Sequence, residues 1–134
     1  LRLSRGLGDV YKRQVEALNG KQDFIPIRAK AFQERRDFVV NSLNAIDGIN
    51  CLRPDGAFYV FPNCKKLIGK KDKEGKKIEN DTDFVQSLLE NYGIAVVQGS
   101  AFGLEGFFRI SYATSMENLE KAMNKIKEFC ESLN

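Results

Sequence analysis

Residues 94–114 read Ile94-Ala95-Val96-Val97-Gln98-Gly99-Ser100-Ala101-Phe102-Gly103-Leu104-Glu105-Gly106-Phe107-Phe108-Arg109-Ile110-Ser111-Tyr112-Ala113-Thr114. The pattern is strand, glycine-rich loop, strand. Residues 94–97 are a short apolar run rich in β-branched side chains and bounded by Gly93 and Gly99, which predicts a buried strand. Gly99, Gly103 and Gly106 mark the loop as a place of tight turns. Residues 107–112 return to aromatic and β-branched side chains suited to a pleated surface. Strand alternation then puts Phe108, Ile110 and Tyr112 on one face and Phe107, Arg109 and Ser111 on the other. A guanidinium keeps its charge and is costly to bury without a partner. Three roles are therefore open to Arg109: a solvent-facing charge, the partner of an internal carboxylate, or the seat of an anionic ligand.

One further stretch shares the character of this one, and the strand that ends it carries a motif of its own. Pro54-Asp55-Gly56-Ala57-Phe58-Tyr59-Val60-Phe61-Pro62 lies upstream, and Phe108-Arg109-Ile110-Ser111-Tyr112-Ala113 closes the glycine-rich segment. Together with residues 93–103 they resemble the class I, pyridoxal-phosphate-dependent aminotransferases of fold type I, in their bacterial aspartate aminotransferase branch. The resemblance is colinear from about Val15 to the C-terminus. Asp55 departs from it, standing at a turn where glutamate is more usual. In that family the arginine of the Arg-Ile-Ser-Tyr-Ala strand holds the α-carboxylate of the amino acid, and Arg109 is the matching position.

The resemblance implies a C-terminal part of a transaminase that moves an amino group between an amino acid, aspartate or glutamate, and a 2-oxo acid. It implies pyridoxal 5′-phosphate as cofactor and a homodimeric full-length enzyme. It also implies that the Schiff-base lysine, the acid beside the pyridine nitrogen and the phosphate donors come from a large domain upstream of Val15. No catalytic, cofactor-binding or metal-binding residue is assigned within this chain; Arg109 is the substrate-binding residue.

The totals agree with one modest domain. The chain has 134 residues, 43% hydrophobic and 29% charged. A net charge of +3 is too small to argue for nucleic acid. No apolar run reaches the roughly 18 residues of a membrane span, and residues 1–14 have no apolar signal core. A cytoplasmic protein is the expectation. Cys51, Cys64 and Cys130 are widely spaced and form no Cys-x-x-Cys pair, which reads as free thiols in a reducing compartment. The absence of histidine excludes a serine–histidine or cysteine–histidine nucleophile built from this chain alone.

Residues 1–14 have no clean period and do not match the family; they read as a translated junction or a disordered tail. Residues 15–25 read as the end of a large-domain segment: the last turns of a helix, stopped by Gly20, and then Asp23 as the next N-cap. Residues 26–134 are the expected small domain. Within it a helix should run from Pro26 to about Ile46, with Ala31, Phe38, Leu43 and Ile46 near one stripe. Residues 49–52 and 57–61 are strand candidates, the latter apolar throughout and so expected to be buried. Between them Pro54-Asp55-Gly56 is a turn in which glycine would take the positive φ.

The seven lysines of residues 65–77 lack interleaved aromatics and read as a solvated loop with a turn at Gly75, rather than as a nucleic-acid patch. Asp81 is the expected N-cap of a helix whose stripe is Phe84, Val85, Leu88, Leu89 and Tyr92, with Gly93 as its stop. Thr114 and Glu117 have the spacing of a capping box before a last helix carrying Met116, Leu119, Ala122, Met123, Ile126 and Phe129. The fold class is α+β: a small, mostly antiparallel sheet with packed helices, like the C-terminal small domain of fold type I enzymes. The reading from a different class is a stand-alone, non-catalytic α+β domain that binds a small ligand or a partner. The two differ in one visible feature: an enzyme part should carry an exposed apolar face around Val15 and helix 26–46.

Overall fold

A computed structural model describes residues 7–134. In order these form α1 (Leu7–Asn19), α2 (Phe24–Asn44), β1 (Tyr59–Val60), α3 (Asp81–Tyr92), β2 (Val97–Gln98), β3 (Phe108–Ser111) and α4 (Met116–Ser132). The three strands make one antiparallel sheet in the order β1-β3-β2, so the fold is the expected α+β class. The chain divides into two units within α2, after Lys30.

In the first unit the helix begins at Leu7, well before Val15, and residues 7–14 are helical where no period was expected. Tyr11, Val15 and Leu18 follow steps of four and three residues and supply an apolar stripe. Residues 1–6 of the non-matching segment lie outside the described residues. Gly20 ends α1 as read, its N–H donating to Glu16 O at 2.8 Å, and the Gln22 amide donates to the free carbonyls of Ala17 and Leu18. Pro26 sits in the first turn of α2, where its missing N–H costs nothing. Val10, Tyr11, Val15, Leu18, Phe24, Ile25 and Ile27 are all exposed, Leu18 to 75%.

The second unit, Ala31–Asn134, holds the core. Val39, Val40 and Leu43 of α2, Phe84 and Leu88 of α3, and Leu119, Met123, Ile126 and Phe129 of α4 are buried against Val60, Phe108, Ile110 and Tyr112. Each such side chain contributes roughly 1.5–3 kcal/mol of burial. Phe84 lies at its centre, its ring 5.1 Å from both Phe108 and Phe129. The predicted faces of α3 and α4 turn to the core, with Val85, Tyr92, Met116 and Ala122 half-buried at its margin and Leu89 exposed. Gly93 stops α3 with φ 69° and an N–H bond to Leu89 O.

The irregular segments depart from expectation more than the helices do. Residues 49–52 form no strand; Asn50 makes one isolated bridge to Asn63. Cys51 finds its backbone partners in the Asn44 side chain, which donates to its carbonyl at 2.9 Å and accepts from its N–H at 2.8 Å. That amide replaces a ladder neighbour. The strand expected over residues 57–61 shrinks to Tyr59–Val60, and Phe58 and Tyr59 are exposed rather than buried. Only the inward side of the pleat faces the core there, so an unbroken apolar run misleads. The positive φ falls on Ala57, at 62°, and not on Gly56. The Tyr112 hydroxyl donates to Ala57 O at 2.9 Å and offsets a conformation that costs about 1–2 kcal/mol for a residue with a Cβ. Residues 94–96 lie outside the second strand, which is Val97–Gln98 and half-buried.

The N-caps of α3 and α4 each shift by one residue. Asn80, not Asp81, accepts from Asp83 N, and Ser115, not Thr114, accepts from Asn118 N. Thr114 accepts instead from the Asn118 side chain at 3.1 Å. The three cysteines are buried and free, and burial pushes the Cys51 thiol up to about 11 and Cys130 to about 12.

Gly75 turns the lysine-rich loop with φ 84°, as read, and the lysines are exposed apart from half-buried Lys70. The loop is nonetheless built around a buried charge. Asp72 is 4% exposed and accepts from Ser87 Oγ at 2.6 Å, Glu74 N at 3.0 Å and Lys76 N at 2.9 Å. The Ser87 hydroxyl, first, and then those N–H groups hold its carboxyl below the ordinary carboxylate value, against the opposing effect of burial. Asp72→Ala should therefore lower stability by about 1–3 kcal/mol in urea unfolding. The carboxylate's contribution is fully present above the pKa of the unfolded chain and is lost as pH falls through the lower folded value. An unchanged urea midpoint at neutral pH would rule out this role.

Candidate functional site

β3 is the middle strand, so its register is fixed from both sides. Tyr59 pairs with Ser111 and Val60 with Ile110, while Val97 pairs with Arg109 and Gln98 with Phe108. Residues directly opposed across an antiparallel pair share a face. Val60, Phe108 and Ile110 point into the core, which puts Tyr59, Val97, Arg109 and Ser111 on the outer face. The alternation read from the sequence holds: Phe108, Ile110 and Tyr112 are buried, Phe107 and Arg109 half-buried, and Ser111 exposed.

The guanidinium of Arg109 lies between two aromatic rings. Its Cζ is 4.5 Å from the centroid of Tyr59 and 4.4 Å from that of Phe102. Such contacts are worth roughly 0.5–1 kcal/mol each at exposed positions. Both rings are solvent-accessible, Tyr59 to 36% and Phe102 to 48%. Among the described residues no carboxylate pairs with Arg109; the ion pairs are Arg36–Asp37, Arg53–Asp37, Lys77–Glu79, Lys121–Glu117 and Lys127–Glu131. Among the described residues the guanidinium therefore has no ion-pair partner. A guanidinium held by its faces keeps its N–H edges for an acceptor, and two parallel N–H donors match a carboxylate.

The aromatic wall extends on either side. Phe58 lies 4.5 Å from Tyr59, Phe102 meets Phe61 edge-on at 6.1 Å, and Phe61 stacks on Phe107 at 5.4 Å. Lys65 Nζ stands 5.3 Å from the Phe107 ring. Tyr59 and Phe102 escaped the sequence reading. A tyrosine in an apolar run reads as core, and a phenylalanine in a glycine-rich loop has no period to place it.

Phe102 is set by the turn that carries it. Residues Gly99–Phe102 form one 3₁₀ turn ended by Gly103 at φ 77°. Gly99 N donates to Phe107 O at 2.7 Å and Leu104 N to Gly99 O at 3.1 Å, which folds the loop back on itself. A Cβ on Gly99 would meet the carbonyl oxygens of Leu104 and Phe107, the latter at 2.7 Å. The close approach that Gly99 permits is thus between backbone segments of its own loop. At the loop's far end Cys64 N donates to Gly106 O at 2.9 Å, and burial, with the charge of Asp81 adding to it, pushes the Cys64 thiol up to about 12.

A pyridoxal phosphate site needs an enclosed lysine, an acid for the ring nitrogen and a cradle of phosphate donors. The described residues do not assemble that set. Their lysines are exposed except Lys70, whose Nζ donates to Leu133 O at 3.3 Å. What they do assemble is a cationic fork with aromatic walls.

Comparison with known proteins identifies the family. The family model described as aminotransferase class I and II matches residues 11–126, and so includes residues 11–14, which were expected not to match. A probable aspartate/prephenate aminotransferase of Rhizobium leguminosarum bv. phaseoli is 62% identical over 116 residues, covering 87% of this chain and 29% of that protein. The crystal structure of the aspartate aminotransferase of Rhizobium meliloti superposes with a TM-score of 0.88 at 55% identity, covering 90% of this chain and 30% of its own. The alanine aminotransferase of Pyrococcus furiosus superposes with a TM-score of 0.76 at 34% identity, covering 87% of this chain and 28% of its own. The chain thus spans under a third of the length of the curated relatives it matches.

Gly99→Ala should force the Leu104 and Phe107 carbonyls apart and lower stability by about 1–3 kcal/mol. A melting temperature equal to that of the parent would show that the loop yields without cost.

Proposed function

This chain belongs to the class I and II aminotransferase family, and on that premise we propose that it forms the C-terminal, substrate-gripping part of an aspartate-type transaminase. The whole enzyme moves an amino group between an amino acid, aspartate or glutamate, and a 2-oxo acid. The relatives' names favour aspartate on the amino-acid side. Pyridoxal 5′-phosphate is the cofactor of the whole enzyme, and the lysine that bears it belongs to the part outside residues 15–134. The same reading makes the enzyme a cytoplasmic homodimer.

Arg109 binds the substrate α-carboxylate. The observation that carries this is the guanidinium held between Tyr59 and Phe102 at 4.5 and 4.4 Å, with no ion-pair partner among the described residues. A flexible arginine would spend side-chain entropy on docking; one already clamped by two rings has lost much of that freedom beforehand. A carboxylate taken in the fork is fixed in plane and direction. That fixes the amino acid's Cα–H bond for proton removal, where an error of about 1 Å costs roughly a hundredfold. The exposed apolar residues of the first unit, Tyr11, Val15, Leu18 and Ile27 among them, accord with a chain that is part of a larger body.

In the full-length enzyme, Arg109→Lys should raise KM for aspartate and lower kcat/KM by roughly 10- to 150-fold, the value of a charge-assisted hydrogen-bond pair reduced to a single point contact. Amino-acid kinetics like those of the parent would sink the assignment. The purified 134-residue chain mixed with cofactor, aspartate and a 2-oxo acid should show no turnover. Catalytic turnover above the free-cofactor background would place the amino-transfer machinery within this chain and overturn the division of labour.

A further inference from the structure

We propose that Asp81 is a positioning residue for substrate binding: its buried carboxylate anchors the Gly99–Phe102 turn, and through the Phe102 ring it aims the guanidinium of Arg109. The inference rests on the reading of Arg109 as the carboxylate-binding residue.

Asp81 is free for this task because Asn80 takes the cap of α3. The residue is 2% exposed. Oδ2 accepts from Ser100 N at 2.6 Å, across 19 residues of sequence. A buried carboxylate is expensive unless hydrogen-bonded or paired. No lysine or arginine pairs with Asp81 among the described residues, so the amide of Ser100 and the favourable field at the start of α3 are what offset its burial.

The tie reaches the site in two steps. Ser100 is the second residue of the 3₁₀ turn, and Gly103 N donates back to Ser100 O at 3.0 Å, so the turn moves as a unit. Phe102 is the last residue of that turn. The residue is 48% exposed; apart from its edge-on contact with Phe61 at 6.1 Å, the backbone of the turn sets where the ring stands. That ring is one of the two walls of Arg109, 4.4 Å from Cζ. The other wall, Tyr59, is fixed independently by its pairing with Ser111 in the sheet. Asp81 therefore governs the wall that the sheet does not.

The test uses the full-length holoenzyme and reads the inhibition constant of maleate, a dicarboxylate probe that needs no turnover, beside KM and kcat for aspartate. Asp81→Ala should weaken maleate roughly five- to twentyfold, with the cofactor's absorbance spectrum unchanged. Asp81→Asn keeps an acceptor oxygen for Ser100 N and should recover most of that loss. Phe102→Ala should weaken maleate to a similar degree, and the double variant Asp81→Ala/Phe102→Ala should be no worse than either single one, because both remove the same wall. A parental inhibition constant in Asp81→Ala, or losses that multiply in the double variant, would overturn the inference. If Asp81→Ala does not fold, Asp81→Glu decides: its extra methylene should displace the turn and weaken maleate, and parental binding would overturn the proposal. Arg109→Lys separates the two claims. Parental maleate binding in that variant ends the reading of Arg109 and this inference with it; weakened binding there beside parental binding in Asp81→Ala ends this inference alone.

Discussion

The burial of Phe108, Ile110 and Tyr112 on one side of β3 is what the rest of the structure answers to. These side chains meet α3 and α4 through Phe84 and its contacts, and they hold the strand in one register. A slip of one residue would carry the guanidinium of Arg109 into the core and lift two aromatic rings and an isoleucine into solvent. The apolar face thereby fixes the direction of the charged one. Because β3 is the central strand, both neighbours inherit that register, and Tyr59 arrives beside Arg109 as a consequence.

A sheet this short cannot satisfy its surroundings through ladders alone. Its strands are two, two and four residues long. Side chains take over where backbone partners run out: Asn44 on Cys51, Asp72 on the lysine-rich loop, Asp81 on Ser100, and Tyr112 on Ala57. Each joins segments far apart in sequence or closes a loop whose backbone groups would otherwise be unpaired. Of these, the tie from Asp81 to Ser100 reaches the turn that carries Phe102. Tyr112 illustrates the economy: its ring fills the core beneath β3 while its hydroxyl holds the turn that leads into β1.

The comparisons and the geometry address different levels. Family membership rests on a match across residues 11–126 and on superposition with enzymes of different named amino acids, so the scaffold does not by itself select a side chain. What is common to all amino-acid substrates is the α-carboxylate, and the feature of this chain suited to it is a fork with no ion-pair partner among the described residues. The aromatic wall around that fork is open to solvent, as a surface that receives a ligand from outside requires.

Sequence by itself determined the elements whose signals are local. The stripes of α3 and α4, the stop at Gly93, the turn at Gly75 and the placing of Arg109 on the face opposite Phe108, Ile110 and Tyr112 were all legible, because helix spacing, positive φ and strand alternation are properties of neighbouring residues. The motif around Arg109 also made the family and its implied chemistry legible. Tertiary structure alone decided what covers each face and which distant groups meet. It exposed Tyr59, moved the positive φ to Ala57, dissolved the strand at residues 49–52 and released Asp81 from its cap to hold Ser100. It also stood Phe102 against Arg109. The physical reason is range: periodicity and capping are settled within a few residues along the chain, whereas desolvation, ring stacking and the pairing of a buried carboxylate depend on segments that only folding brings together.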